Sequence, residues 1–110
     1  MAQRYHVIFP DKQPYEIVAY PFDAKKFVPK NETFESHAYA IYVSTDDPVT
    51  FTDLAPTMFF AKDFDNTKRI LEVSIQAGDD GKDYIVRGRL QCVSGHRYEY
   101  EGFFRVRERG

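Results

Sequence analysis

Hydrophobic and polar positions alternate with a period of two along much of this chain, most clearly in its C-terminal third. Over 83–93, Tyr84, Val86, Gly88, Leu90 and Cys92 share one face, and Ile85, Arg87, Arg89, Gln91 and Val93 the other. Over 97–107, Tyr98, Tyr100, Gly102, Phe104 and Val106 lie opposite Arg97, Glu99, Glu101, Phe103, Arg105 and Arg107. Leu71, Val73, Ile75 and Ala77 likewise alternate with Glu72, Ser74 and Gln76. Such a period belongs to strands and not to helices. Turn-forming pairs such as Pro10-Asp11, Gln13-Pro14, Asp46-Asp47-Pro48, Asp65-Asn66, Gly78-Asp79-Asp80-Gly81 and Ser94-Gly95 cut the rest into short segments. The predicted strands are Arg4–Phe9, Tyr15–Tyr20, Phe34–Val43, Val49–Thr52, Thr57–Lys62, Arg69–Ala77, Asp83–Val93 and Arg97–Arg107. Seven or eight short strands at this spacing predict an all-β antiparallel sandwich or small barrel. Asp23–Val28 and Pro56–Lys62 are the competing helical readings, each too short for an apolar stripe. A short helical turn is expected at Asp23-Ala24-Lys25-Lys26, with Asp23 as its N-cap.

Face matching then predicts register. A three-residue loop at Ser94-Gly95-His96 places Leu90 opposite Tyr100, Gly88 opposite Gly102, Arg89 opposite Glu101 and Asp83 opposite Arg107. A two-residue Asp80-Gly81 turn of type I′ pairs Ile75 with Val86 and Glu72 with Arg89. The expectation is three adjacent strands carrying a Glu72–Arg89–Glu101 row. The paired glycines would leave a shallow spot for Phe34 or Tyr39 of the other sheet. Arg4–Tyr20 reads as an accessory N-terminal hairpin on a single domain spanning 1–110.

Composition narrows the function classes. Aromatic residues make up 16% of the chain, all of them Tyr or Phe, which favours strands. Fifteen Lys and Arg against seventeen Asp and Glu give a net charge of −2. Bulk electrostatics therefore predict neither nucleic acid nor an anionic membrane as partner. No stretch is long and apolar enough to cross a membrane as a helix. Met1-Ala2-Gln3-Arg4-Tyr5-His6 lacks the apolar region of a signal peptide, so synthesis in a reducing cytoplasm is expected.

Candidate chemistry is sparse. Cys92 is the single cysteine, and its place on the apolar face reads as core. His6, His37 and His96 lie on separate segments, without metal-ligand spacing; His96 is expected to be solvated. Asp63 opens a calcium-type loop, but Lys68 stands at its glycine position and Ser74 at its glutamate position. A looser calcium site from Asp63, Asp65, Asp79, Asp80 or Asp83 stays open beside the reading of these acids as turn caps. Ser36, Ser44, Ser74 and Ser94 stand in no nucleophile elbow. The arginines from Arg87 to Arg109 make the last hairpin locally basic, but Glu72, Glu99 and Glu101 are expected to neutralise them. No catalytic, cofactor-binding or metal residue is assigned, and an enzyme is not expected. A small-barrel enzyme would need a deep pocket lined by two or more of His6, His37, Asp63 and Asp83.

From Pro21 to Arg107 the chain resembles a family of small Ig-like β proteins encoded among the virion structural genes of tailed bacteriophages. Phe22-Asp23 and Asn31-Glu32-Thr33-Phe34-Glu35-Ser36 precede the alternating strand Ala38-Tyr39-Ala40-Ile41-Tyr42-Val43. Leu71–Gly78, then Gly81-Lys82-Asp83-Tyr84-Ile85-Val86, Ser94-Gly95-His96-Arg97 and the closing Phe103-Phe104-Arg105-Val106-Arg107 follow the family's later order. It departs at Asn31, where the family has Gly, and at His96, which separates Gly95 from Arg97. The resemblance implies an Ig-like sandwich that serves as a virion component of the head–tail connector, tail or surface fibre. Its implied partners are other virion proteins or further copies of the chain, in a homo-oligomer or larger assembly. The alternative is a soluble binding module or inhibitor directed at a host protein or carbohydrate.

Overall fold

The structure, a computed structural model, describes residues 5–46, 51 and 53–108. Among the described residues, seven strands run β1 (Tyr5–Ile8), β2 (Val18–Asp23), β3 (Phe34–Val43), β4 (Phe59–Asp65), β5 (Ile70–Ile75), β6 (Asp83–Cys92) and β7 (Arg97–Arg105). They form a four-stranded sheet, β1-β7-β6-β3, and a three-stranded sheet, β2-β5-β4. The two sheets enclose one apolar core as a β-sandwich. All pairings are antiparallel except β1 with β7.

The alternating faces lie as the period required. Tyr84, Val86, Leu90 and Cys92 of β6 and Tyr100 and Phe104 of β7 are buried in the core. They meet Tyr20 and Phe22 of β2 and Leu71, Val73 and Ile75 of β5 across the sandwich. Asp23 caps a 3₁₀ turn at Ala24–Lys26, its carboxylate accepting from the Lys25 N–H at 3.1 Å. The Pro56–Lys62 segment divides into a 3₁₀ turn, Pro56–Met58, and the start of β4. The expected strand Val49–Thr52 lies outside the described residues except for Phe51.

Three expectations are corrected. First, the β6–β7 register is displaced by two residues: Leu90 faces Tyr98, Gly88 faces Tyr100, Val86 faces Gly102, Arg89 faces Glu99 and Asp83 faces Arg105. The loop has the expected three residues, but they are Val93-Ser94-Gly95, bounded by a bond from the Cys92 N–H to the His96 carbonyl at 2.9 Å. The last position of such a loop takes a left-handed residue, and Gly95, at φ 95°, occupies it more easily than His96 would. A shift of two keeps every side chain on its own face.

Second, β5 and β6 do not pair. β5 lies between β2 and β4, with Glu72 opposite Pro21 and Asp63, so no Glu72–Arg89–Glu101 row exists. A type I′ turn needs positive φ at both central residues. Here Gly81 has it and Asp80 does not, whereas Ala77 (φ 58°) and Gly78 (φ 100°) turn the chain away from β5. The Gly81 N–H then bonds to the Val106 carbonyl at 2.8 Å, fixing the crossover to the other sheet.

Third, Arg4–Tyr20 is not a hairpin. β1 lies parallel to β7 in one sheet while β2 joins β5 in the other. The connection carries Pro10 and Pro14, which lack the N–H groups a tight ladder would use. It crosses the end of the sandwich instead.

Candidate functional site

The outward face of the four-stranded sheet carries charges in cross-strand pairs. Arg89 Nε lies 2.8 Å from Glu99 Oε2, and Arg105 Nε lies 2.6 Å from Asp83 Oδ1. His6 Nδ1 lies 3.6 Å from Glu101 Oε1. The bond from Arg105 holds the Asp83 carboxyl below its usual range. Arg87 is buried on this face with its guanidinium 5.4 Å from the Tyr42 ring centre. Arg89 stacks on Phe51 at 4.3 Å. Exposed pairs of this kind contribute at most about 1 kcal/mol each, and they place a carboxylate beside a cation that nucleic acid would otherwise use.

At one end of this face, Ala38, Arg89, Leu90, Arg97, Tyr98 and Glu99 bound a hollow of about 470 Å³. Small side chains on β3 set its depth, and Arg97 is exposed at its rim.

Behind the same end, Glu32 is a buried carboxylate with a full set of donors. The Ser94 hydroxyl donates to Oε1 at 2.6 Å, the Tyr98 hydroxyl donates to Oε2 at 3.0 Å, and His96 Nδ1 lies 2.8 Å from Oε2. The Arg69 guanidinium donates to the Glu32 carbonyl at 2.5 Å. These bonds, led by Ser94, outweigh desolvation and hold the Glu32 carboxyl below its usual range. The cluster contains Ser, His and Glu, but the serine proton is directed to the carboxylate. A nucleophilic relay would direct it to the imidazole. What the cluster does is tie the β6–β7 loop to the segment entering β3.

The opposite end holds a different construction. Lys12 is fully buried. Its ammonium donates to the carbonyls of Gln13 at 2.7 Å, Ala77 at 2.5 Å and Pro14 at 3.4 Å. Burial lowers its pKa. Three carbonyls offset much of the desolvation of a cation. The bonds clamp a turn over Gln13–Glu16. Pro14 occupies its second position, the Glu16 N–H bonds to the Gln13 carbonyl at 3.1 Å, and the Glu16 carboxylate accepts from the Gln13 N–H at 2.7 Å. Tyr15 projects from this turn 97% exposed, followed by Ile17 at 53%.

The remaining candidates are dispersed. His37 is wedged between the Tyr39 and Phe64 rings, with burial as the main cause of its lowered pKa. Asp65 caps its own turn by accepting from the Thr67 and Lys68 N–H groups, and Asp80 accepts from the Glu108 N–H at 2.8 Å. Asp79 pairs with Lys82 at 3.2 Å. Among the described residues, no three His, Cys, Asp or Glu side chains come together as a metal site. Cys92 is buried in the core, and burial pushes its thiol pKa up. His96 is exposed as expected but bonded to Glu32, a link between turns far apart in sequence. Nothing in the alternation marked Lys12 as buried; its only signal was its place directly before a Gln-Pro turn.

No model of a known protein family matches this chain, and no curated protein matches it.

Proposed function

We propose that this chain is a non-enzymatic structural and interaction protein. Its role is that of a component of a tailed-bacteriophage virion, in the head–tail connector, tail or surface decoration, acting through protein–protein contacts. The viral setting rests on the likeness of the segments from Phe22-Asp23 to Phe103–Arg107. The mode of action rests on one observation: Tyr15 stands out in solvent on a turn whose backbone is held by Pro14, Glu16 and the buried Lys12. An exposed aromatic on a held backbone loses little conformational entropy when it docks. Tyrosine is also among the side chains that dominate binding energy at protein interfaces.

The test is to band particles from an induced lysate of the encoding phage and identify their proteins by mass spectrometry. The reading expects the chain in the particle band at a fixed ratio to the major structural protein. Its presence only in the soluble fraction would refute the virion role. A Tyr15→Ala substitution should reduce incorporation at least tenfold while leaving the purified chain folded by circular dichroism.

A further inference from the structure

An open sheet edge accepts a further strand unless something blocks it. Among the described residues the two sheets end in four edges, β1, β3, β2 and β4, and three of them are blocked. β2 carries Pro21, which cannot donate. β4 carries Lys62, Asp63 and Asp65, and its register shifts between Phe59 and Ala61. The β3 edge is occupied at the Ile41 carbonyl by the N–H groups of Leu54 and Ala55. β1 pairs with β7 alone, and Tyr5-His6-Val7-Ile8 has no proline, lysine, acid or register shift. Its one protection is its shortness. The Phe9 N–H donates to the Phe103 carbonyl at 2.8 Å, and backbone direction alternates along a strand, so Tyr5 and Val7 also address β7. The N–H and C=O groups of His6 and Ile8 therefore point off the sheet. Side chains at this edge are apolar on both faces. Ile8 is 83% exposed on the outer face beside Phe103, its register partner, while Tyr5 and Val7 are half-buried at the margin of the core.

We propose that the β1 edge is completed by the β1 of a second copy, antiparallel about a two-fold axis, joining two four-stranded sheets into one of eight strands. Within Tyr5–Ile8 a single register engages both outward residues of each copy. It sets Val7 opposite its own counterpart and the His6 of either copy opposite the Ile8 of the other. Two hydrogen-bonded pairs result, with about four N–H···O=C bonds, and the Val7 pair between them takes the closer Cα spacing of about 4.5 Å. On the outer face Ile8 then lies against an imidazole that packs edge-on to Phe103 of its own chain at 6.1 Å. No like charges meet. β1 has no Lys, Arg, Asp or Glu, His6 already lies beside Glu101, and Asp83 and Arg105, which border the same hollow as Ile8, are bonded to each other. A charged strand would have to bury its charges against Ile8 or Val7, whereas a second β1 brings none. The contact is isologous and closes at two copies. Four residues a side are far fewer than the roughly 20–30 of a standard interface, so the dimer forms only as concentration rises. This pairing goes beyond the virion reading and uses no residue of the Tyr15 turn.

The full chain is followed by sedimentation equilibrium and amide hydrogen exchange from micromolar to millimolar concentration. The fitted mass should rise from one chain towards two. Exchange at the His6 and Ile8 amides should slow severalfold over that range, while Val7, already bonded to β7, should change little. In a half-labelled sample, isotope-filtered NOEs should connect His6 of one copy with Ile8 of the other. Ile8→Pro removes one outward donor and leaves the Val7 and Phe9 bonds to β7 in place. Ile8→Lys keeps the backbone and puts a cation into the pairing. Each should weaken association at least tenfold while the amide shifts of β5 and β6 stay as in the parent; if Ile8→Pro disturbs the strand, Ile8→Lys decides. A chain that stays monomeric at millimolar concentration, a fitted mass that passes two chains, association unaltered by Ile8→Lys, or intermolecular NOEs confined to another face would each overturn the proposal. None of those outcomes bears on whether the chain bands with particles, so the virion reading fails or stands separately.

Discussion

Gly88 lies opposite Tyr100 on the inner face, and the tyrosine ring lies over the place where a side chain would begin. A methyl group added there would collide with Cε2 and Cζ of that ring. The ring has no free direction in which to move. It packs against Phe22, Phe27 and Tyr39, and its hydroxyl donates to the Tyr39 hydroxyl at 2.9 Å in a fully buried site. Overpacking of this kind costs about 1–3 kcal/mol. Losing the buried bond between the hydroxyls adds about 1–3 kcal/mol. Removing a glycine restricts the unfolded chain and returns about 0.4–1 kcal/mol. Gly88→Ala should therefore lose about 1–5.5 kcal/mol net, a large share of the roughly 5–15 kcal/mol typical of a domain. Urea denaturation followed by far-ultraviolet circular dichroism measures it, with an unchanged slope. Combining it with Tyr100→Leu, which clears the space, should cost at least about 1 kcal/mol less than the sum of the single changes. A Gly88→Ala chain within about 0.5 kcal/mol of the parent would refute the ring placement and with it the β6–β7 register.

Leu90→Ala empties a core position and should cost about 2–5 kcal/mol, whereas Arg89→Ala, on the solvent face, should cost under about 1 kcal/mol; denaturation in the reverse order would exchange the faces. Glu32 and Asp83 have lowered carboxyl pKa values, so their stabilisation is present above the unfolded carboxylate range and is lost as acid protonates them in the fold. Glu32→Gln should flatten the loss of melting temperature between about pH 5 and pH 3, and an unchanged acid profile would remove the Glu32 cluster from the account. Burial raises the phenol pKa of Tyr39 and Tyr100 and pushes that of Tyr20 up to about 12. Their contribution is complete below the unfolded phenol range, near pH 10, and falls as pH rises beyond it. Lys12, with a lowered pKa, works in the other direction, one group against three. Absorbance at the tyrosinate band should show at least three of the eight tyrosines, Tyr20, Tyr39 and Tyr100, still protonated in the folded chain above about pH 10; full titration of the folded chain near pH 10 would refute their burial.

The faces of the strands were legible because a period of two survives any even error in register. Tyr84, Leu90 and Phe104 are buried whether Val86 meets Phe104 or Gly102. Which strands neighbour one another was less legible. Asp80-Gly81 has the composition of a hairpin turn, but the positive φ values at Ala77 and Gly78 that redirect the chain leave no comparable signature at an alanine. Charge pairing was a weak guide for the same reason that it stabilises little: Arg89 finds Glu99 instead of Glu101, and the difference between such exposed pairs is small. The Glu32 cluster and the Lys12 clamp were not legible at all. Each joins groups more than sixty positions apart, Glu32 to Ser94 and Lys12 to Ala77, and only the closed sandwich brings them together.

Preorganisation of the Gln13–Ile17 turn is the point on which the proposed mode of action rests, and backbone ¹⁵N relaxation measures it directly. The amides of Tyr15, Glu16 and Ile17 should have order parameters near 0.85, like the strands, and should fall below about 0.6 in Lys12→Met, while β5 and β6 keep theirs. Values below about 0.6 at those amides in the parent chain would mean that Tyr15 sits on a mobile loop, contradicting the account.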